Sequence, residues 1–337
     1  MVAVGRPLEA QEIDDPEPRA GEVRVRVRAA GICHSDAHYR SGLSPTSHLP
    51  LTLGHEIAGV VDRLGPGVTS HREGDRVCLH YVLSCGACAE CANGREMFCE
   101  RYAMLGHHTD GGFAEFVVVP ARNAISLPEE ISFEHGAVLM CSSATALHAL
   151  RRARFRAGES VAVFGLGGLG ISAIQLAQAL GARAVYAVDL REDRLATAKR
   201  LGAIPVNATA CIPAARIRAL VGRGVDVALE LVGLPETMRQ ALLSLGPHGR
   251  AALVGLSNRK LEINPYRELL GPEAELIGVN DHLREELLEL IELARNGALD
   301  LTPVVTRSVR LHASTINDVL DELDAFRAEV RTVIVME

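Results

Sequence analysis

Three features that are common in other protein classes are missing from this 337-residue sequence. It contains no apolar run of about 18 residues, so no segment is predicted to span a membrane. Its first residues show no charged start followed by an apolar stretch, so we expect no secretory signal. Positive charge is not in excess either, because the formal net charge is −7. This argues against nucleic acid and anionic membranes as partners.

Length and cysteine content suggest a two-domain metalloprotein. A chain of this length is too long for one ordinary core, so two domains are expected. Eight cysteines without an export signal indicate a reducing compartment, and we expect a cytoplasmic protein. In such a compartment, clustered cysteines bind metal more often than they form disulfides.

Short strand patterns dominate residues 1–142. Valine alternates with arginine in residues 21–31, as expected of a half-buried strand, and further strands are predicted at 57–61 and 112–120. Glycine and proline are frequent between these runs. The pattern favours a partly open antiparallel barrel over a helical bundle.

From residue 143 the sequence alternates between strands and helices. Strands are predicted at 160–165, 184–189, 225–233, 250–256 and 274–279, and helices at 168–181 and 193–202. This βαβ series predicts a parallel sheet that is covered by helices on both faces. The last part of the chain contains an amphipathic helix at 282–297 and a valine-rich strand at 331–336.

Four cysteines fall within 15 residues of one another and read C-x2-C-x2-C-x7-C: Cys85, Cys88, Cys91 and Cys99. Four thiolates close a tetrahedral shell, so the spacing predicts a structural zinc ion. The rival interpretation is an iron–sulfur cluster. The bacterial ferredoxin run has three residues before its last cysteine and a proline after it, whereas here seven intervene and Glu100 follows.

A glycine-rich turn lies between a predicted strand and a predicted helix. Gly165, Gly167, Gly168 and Gly170 read G-x-G-G-x-G, which allows backbone N–H groups to approach a pyrophosphate. The next strand ends in Asp189, 19 residues after the last glycine, where a carboxylate can accept ribose hydroxyls. The Asp189 carboxylate and the 2′-phosphate of NADP would repel each other by roughly 4 kcal/mol at a distance of about 4 Å and an effective dielectric of about 20. We therefore expect NAD rather than NADP.

Several motifs together resemble the zinc-dependent medium-chain alcohol dehydrogenases. They are GICHSDAHYRSG, LGHEIAGVV, CGACAECANGREMFC, an isolated Cys141 and VFGLGGLG, and they extend over nearly the whole chain. The resemblance implies a GroES-like catalytic domain at 1–142, an NAD-binding Rossmann domain at 143–279 and a return to the catalytic domain at 280–337. It also implies an alcohol or carbonyl substrate and a homodimer or homotetramer.

The resemblance assigns a second, catalytic zinc to Cys33, His55 and Cys141. Two thiolates and one imidazole leave a fourth position open, and the resemblance makes Glu56 or water its occupant. Asp36 is expected to support one of the ligands through a hydrogen bond. A cysteine at position 141, rather than glutamate, favours the alcohol dehydrogenase branch over the polyol and threonine dehydrogenases.

Other roles also follow from the resemblance. Ser35 and His38 are expected to relay the alcohol proton to solvent. His34 is placed near the cofactor pyrophosphate and Arg331 near a cofactor phosphate. Tyr81 matches an aromatic position of the substrate pocket, although the side chain alone does not identify a substrate.

Two other functions fit parts of the sequence. One is a reductase of activated double bonds, similar to the zinc-free quinone and enoyl reductases, which usually lack the Cys/His/Cys ligands and prefer NADPH. The other is a non-catalytic NAD-binding or structural protein that kept the fold. The complete ligand set and Asp189 favour the alcohol dehydrogenase over the reductase. The complete ligand set and the relay residues favour it over the non-catalytic protein.

Overall fold

The computed structural model describes residues 1–336, and the chain forms two compact units. The first comprises Met1–Cys141, Leu283–Arg295 and the chain from Val305 onward. The second comprises Ser142–His282 and Asn296–Val304. Among residues 1–336, the search for a helix both long enough and apolar enough to cross a bilayer finds none.

The first unit is built mainly from strands. Up to Cys141 its elements are β1 (Glu22–Ile32), α1 (His34–Ser41), β2 (Glu56–Leu64), β3 (Arg76–Leu79), β4 (Val82–Leu83), α2 (Ala89–Ala92), β5 (Ala103–Met104), β6 (Phe116–Pro120), β7 (Ala124–Ser126) and α3 (Phe133–Val138). A π-helical turn, Leu139–Ser143, follows α3.

Strand β1 lies at the centre of this sheet, and its alternate valines are buried. Val23, Val25 and Val27 are at most 1% exposed, as the alternation in the sequence predicts. The strand pairs antiparallel with both β2 and β6. The predicted antiparallel barrel is therefore confirmed.

The second unit contains the predicted βαβ series. Its elements are α4 (Ala144–Arg152), β8 (Ser160–Phe164), α5 (Gly168–Ala179), β9 (Ala184–Asp189), α6 (Glu192–Arg200), β10 (Ile204–Asn207), α7 (Pro213–Val221), β11 (Val225–Glu230), α8 (Pro235–Leu243), β12 (Leu245–Leu253) and β13 (Glu275–Gly278). The strands are parallel in the order β10-β9-β8-β11-β12-β13, which is the doubly wound Rossmann arrangement.

The last part of the chain contributes α9 (Arg284–Arg295), β14 (Arg307–Val309), α10 (Ala313–Asp324) and β15 (Thr332–Val335). Strand β15 pairs antiparallel with β1, so the end of the chain completes the sheet of the first unit. The short segment 296–304 belongs to the second unit. There the Gln175 side chain exchanges two hydrogen bonds of 2.8 Å with the backbone of Asp300.

Some sequence-based element boundaries were wrong. The strand predicted at 112–120 begins only at Phe116, because Gly112 and Phe113 donate their backbone N–H groups to Gly54 and Leu53 in a loop. The strand predicted at 225–233 ends at Glu230, and the one at 250–256 begins at Leu245. Of the helices in residues 1–336, only α5, α6 and α9 were predicted.

Candidate metal centres and nucleotide site

A buried group of potential metal ligands lies in the first unit. Its donor atoms come from Cys33, His55, Glu56 and Cys141, and all lie within 4.8 Å of one another. Cys33 is the N-cap of α1, and Glu56 is the first residue of β2. Cys141 lies in the π-helical turn, a conformation found often at functional sites. The structure thus brings together the three predicted zinc ligands and the predicted alternative fourth one.

Asp36 fixes the orientation of two members of this group. Its Oδ2 accepts the backbone N–H of Cys33 at 2.8 Å, which closes the first turn of α1. Its Oδ1 lies 3.3 Å from Nδ1 of His55 and accepts the backbone N–H of Gly54 at 3.3 Å. With Nδ1 facing the carboxylate, Nε2 is the imidazole nitrogen left for a metal, and the carboxylate makes it a better ligand.

A hydrogen bond between the thiols of Cys33 and Cys141 gives the two thiols different pKa values. It lowers the pKa of Cys33 well below its usual value, against the effect of burial, and Arg331 adds to the shift. The same hydrogen bond and burial raise the pKa of Cys141. Burial lowers the pKa of His55, but Asp36 and Cys33 outweigh it and leave that pKa well above the usual value. Metal binding must displace the protons on Cys141 and His55.

Glu56 and Arg331 form a second buried pair beside the sulfurs. Burial raises the pKa of Glu56 to about 8, although the Arg331 guanidinium opposes the shift. Nη2 of Arg331 lies 3.3 Å from Oε1 of Glu56, and its Nη1 donates to the carbonyl of Ile32 at 3.1 Å. The structure therefore places Arg331 against the ligand group. Its predicted contact with a cofactor phosphate remains a prediction.

These residues fit a zinc ion. Within residues 1–336, both carboxylate oxygens of Glu56 are buried without a hydrogen bond, so they keep lone pairs that a metal ion can use. Two sulfurs, an imidazole and a carboxylate are donors that zinc accepts, with bonds of about 2.0–2.3 Å. A group that spans 4.8 Å needs only a small contraction to close on one ion.

The predicted relay residues lie along α1. Oγ of Ser35 is 3.7 Å from Sγ of Cys33, next to the ligand group. The ring of His38 lies 4.6 Å from that of His34, which also meets Phe326 edge-on at 5.3 Å. Burial lowers the pKa of both histidines, so both are neutral at pH 7. The predicted relay and pyrophosphate roles are compatible with these positions.

Aromatic side chains surround His55. Tyr81, which the sequence placed at the substrate pocket, meets the His55 ring edge-on at 5.2 Å. Sequence reasoning missed Tyr39, whose ring lies 6.3 Å from His55 and stacks on His107 at 4.3 Å. Tyr39 could have been predicted from its position in α1, because it follows Ser35 by four residues and therefore lies on the same face of that helix.

The four clustered cysteines also fit a zinc ion. Their sulfurs lie 3.9 Å (Cys85–Cys91), 3.6 Å (Cys88–Cys91) and 3.9 Å (Cys88–Cys99) apart. Bonds of about 2.3 Å in a tetrahedron place sulfurs about 3.8 Å apart. Backbone N–H groups of Ala87 and Cys88 lower the pKa of Cys85 to about 6, which favours the thiolate that a metal needs.

The glycine-rich turn joins β8 to α5. Gly165 has φ of 92°, which favours glycine. A Cβ on Gly170 would lie 2.0 Å from the carbonyl oxygen of Gly165, so only glycine, which has no Cβ, fits at this position. Gly167 is the N-cap of α5 and Gly168 its first residue, so backbone N–H groups at this helix end are available to an anion.

Asp189 connects the end of β9 to this turn. Its Oδ2 accepts the backbone N–H of Leu166 at 2.8 Å, and its Oδ1 accepts those of Leu190 and Arg191 at 2.7 and 3.0 Å. A carboxylate has about four acceptor sites, so capacity for a ribose hydroxyl remains. Sequence reasoning missed Arg194, whose Nη1 lies 3.8 Å from Oδ2; its place in the first turn of α6 was the available signal.

Comparison with known proteins identifies a family over most of the chain. Residues 19–129 match the alcohol dehydrogenase GroES-like domain, and residues 168–296 match the zinc-binding dehydrogenase family. An alcohol dehydrogenase of Geobacillus stearothermophilus is 36% identical over 94% of this chain and 93% of its own length. An NAD-dependent alcohol dehydrogenase of Sulfurisphaera tokodaii is 33% identical over 99% of this chain and 98% of its own length.

The fold agrees with these sequence matches. The crystal structure of an alcohol dehydrogenase from Aeropyrum pernix superimposes with a TM-score of 0.91 at 34% identity, covering 100% of this chain and 98% of that one. A Rossmann sheet, a GroES-like barrel and two cysteine-rich ligand groups define a zinc-binding dehydrogenase. The chain belongs to the zinc-dependent medium-chain alcohol dehydrogenase family, and it is an enzyme.

Proposed function

We propose that this enzyme uses zinc and NAD to interconvert a primary or secondary alcohol with the corresponding aldehyde or ketone. The observation that carries the proposal is the buried group of two sulfurs, one imidazole and one carboxylate within 4.8 Å. The NAD-dependent alcohol dehydrogenases among its relatives support the same reaction class.

Cys33, His55 and Cys141 would hold the catalytic zinc, with Glu56 or water as the fourth ligand. When bound, zinc supplies Lewis acidity, which lowers the pKa of a coordinated hydroxyl and polarises a carbonyl. The protein contributes the geometry of the ligands, because Asp36 orients both Cys33 and His55.

The proton of the alcohol needs a path away from this buried group. Ser35 stands next to Cys33, and its hydroxyl can accept one proton while donating another. His38 follows three residues later, on the same face of α1. Its Nδ1 is buried and makes no hydrogen bond within the part of the chain that the structure describes, and its neutral imidazole can take up a proton. We assign the relay to these two residues, as the sequence resemblance predicts.

The turn between β8 and α5 would bind the pyrophosphate of NAD, and Asp189 its adenosine ribose. When bound, NAD+ would supply a hydride acceptor for alcohol oxidation, and NADH would supply the hydride donor for carbonyl reduction. Since the Asp189 side chain is anchored by three backbone N–H groups, it cannot easily turn away from a 2′-phosphate. This supports NAD as the preferred cofactor.

The four-cysteine lobe would hold a structural zinc that orders residues 85–99, a segment with only short helical turns of its own. Six of the eight cysteines lie in the two groups of potential metal ligands, which supports a reducing compartment, and we propose the cytoplasm. A homodimer or homotetramer is proposed from the family resemblance, and light scattering of the purified protein would test it.

The proposed reaction is tested by incubating the protein with NAD+ and a panel of short, branched, aromatic and polyhydroxy alcohols while NADH absorbance is followed. Turnover of at least one simple alcohol is expected, and Ser35→Ala should lower it sharply without removing zinc. Ser132→Ala, which removes the N-cap hydroxyl of α3, is the matched control and should leave turnover unchanged. Reduction of activated double bonds without turnover of any alcohol would refute the proposal.

A further inference from the structure

A small polar cavity of about 240 Å³ lies in the first unit, beside the four clustered cysteines. Three parts of the chain line it: residues 80–96, residues 122–123 and the start of α9. Among the described residues 1–336, no leucine, valine, isoleucine or phenylalanine lines this cavity. Its volume is below the roughly 300–1,000 Å³ typical of sites for drug-sized molecules, so it fits a small, polar ligand.

Two arginine side chains that line the cavity have no acidic partner. Nη2 of Arg122 donates to the backbone carbonyl of Ser84 at 2.6 Å, and Nε of Arg284 donates to the backbone carbonyl of Arg122 at 2.9 Å. In the part of the chain that the structure describes, neither guanidinium pairs with a carboxylate. Burial lowers the pKa of His80, which also lines the cavity, to about 3, and the charges of Arg284 and Arg122 contribute to the shift. Two anchored guanidinium groups without a counter-ion favour a carboxylate, which a guanidinium can bind through two N–H groups.

Asn123 supplies a buried acceptor at the same cavity. The side chain is 1% exposed, and its Nδ2 donates to the carbonyls of His80 and Val82 at 2.7 and 2.8 Å, which fixes the amide. Within residues 1–336, its Oδ1 is buried and accepts no hydrogen bond. A buried amide oxygen without a partner is destabilising, so a donor is expected at this position.

Two carboxylates balance the charge of the arginines. Oε1 of Glu96 accepts the backbone N–H of Arg284 at 2.6 Å and lies 3.7 Å from Nε2 of His80. Glu285 follows in the first turn of α9. Among the described residues, neither carboxylate lies within 4.0 Å of a lysine or arginine nitrogen. The cavity therefore presents two cations and two anions that are not paired with one another.

We propose that this cavity binds a small, polar α-amino acid such as glycine or serine. The carboxylate of the ligand pairs with the guanidinium groups of Arg122 and Arg284. Its ammonium group donates to Oδ1 of Asn123 and faces the carboxylates of Glu96 and Glu285. A zwitterion is favoured over a simple anion or cation, because either of those would meet two like charges in the cavity. The site is separate from the residues assigned to the proposed reaction, and the proposal does not depend on that reaction.

The proposal is tested by calorimetric titration of glycine into the zinc-loaded protein. Saturable binding is expected, with a dissociation constant of about 1 mM as the order of magnitude for so few atoms. Arg284→Gln should weaken binding by about tenfold or more. The matched control Arg295→Gln removes the same charge at the other end of α9 and should bind like the wild type. Equal binding by the two variants would place glycine elsewhere, for example at the catalytic zinc, and would overturn the proposed site.

A second pair of variants tests the ammonium end of the ligand. Glu285→Gln removes one carboxylate from the cavity and should weaken glycine binding by about threefold or more. Glu292→Gln, two turns further along α9, should bind like the wild type. Glycine binding that Glu285→Gln leaves unchanged would contradict the assigned position of the ammonium group.

A third measurement compares ligands on the wild-type protein at one ionic strength. Acetate keeps only the carboxylate of glycine and methylammonium only its positive charge, so each should bind about tenfold more weakly or less. Acetate or inorganic phosphate that binds as tightly as glycine would identify an anion site. Methylammonium that binds as tightly would identify a cation site. Either result, or the absence of glycine binding, would overturn the proposal.

Discussion

The carboxylate of Asp36 lies 3.3 Å from Nδ1 of His55, and both side chains are at most 1% exposed. The second oxygen of Asp36 accepts the N–H of Cys33. The buried carboxylate of Asp36 therefore holds both the imidazole of His55 and the thiolate of Cys33 in place. Substitution of Asp36 should affect metal binding more strongly than it affects the fold.

Asp36→Asn should weaken binding of the catalytic zinc by about 10–100-fold, because the amide cannot support the imidazole as a carboxylate does. Competition with a zinc chelator measures the affinity. Asp75→Asn is the matched control, since Asp75 also accepts a backbone N–H three residues away, from Arg72. Unchanged zinc affinity in Asp36→Asn would contradict the assigned role.

Loss of the zinc bound by the four clustered cysteines should lower the stability of the protein rather than its catalytic activity. Cys88→Ser should release one zinc and lower the melting temperature by roughly 5–10 °C, as expected for a loss of several kcal/mol. Activity per folded molecule should stay within about twofold at low temperature, since the sulfurs serve a separate ligand group. Cys211→Ser, a thiol outside both ligand groups, should have neither effect. Wild-type stability and zinc content in Cys88→Ser would refute a structural metal.

Asp189 should control the choice of cofactor. Asp189→Asn keeps an acceptor for the N–H of Leu166 but removes the charge that repels a 2′-phosphate. The ratio of kcat/KM for NAD to that for NADP should fall by about 10–100-fold. Asp193→Asn, an exposed carboxylate paired with Arg191, should leave the ratio unchanged. Wild-type protein that uses NADP better than NAD would show the assignment to be wrong.

Substitutions of two glycines in the turn between β8 and α5 should distinguish an effect on stability from an effect on NAD binding. In Gly170→Ala the new methyl group meets the carbonyl oxygen of Gly165, so unfolding free energy should fall by about 1–3 kcal/mol or more. In Gly167→Ala the methyl group meets no atom within 4 Å, so the unfolding free energy should fall by no more than about 1 kcal/mol, the cost of alanine at an N-cap. NAD affinity should nevertheless fall at least fivefold, because the methyl group would occupy pyrophosphate space. Calorimetry and NADH fluorescence titration measure the two effects.

Local patterns predicted much of the fold. The alternating valines of β1 and the apolar runs of β8 and β9 identified both sheets because burial imposes those patterns directly. Helices α7 and α8 were missed although each begins with a proline, Pro213 and Pro235, which is a start signal at the first helical position. Those signals were present and were overlooked.

The candidate site was predictable only in part. Cys85, Cys88, Cys91 and Cys99 lie close in sequence, so their spacing alone indicated a metal. Cys33, His55 and Cys141 are far apart, and only the family resemblance suggested that they meet. The contact of Arg331 with Glu56 depends on β15 pairing with β1, a long-range event that no local pattern encodes. The π-helical turn at Cys141 has no sequence signal either.

Zinc content of the purified protein, measured together with activity for Cys33→Ser, tests the central claim most directly. The account predicts about two zinc ions per wild-type chain, and about one with no alcohol turnover in Cys33→Ser. Cys78→Ser should match the wild type, because Cys78 is a buried thiol outside both ligand groups and a serine hydroxyl can still donate to the carbonyl of Ile125. Two zinc ions and full activity in Cys33→Ser would contradict the account.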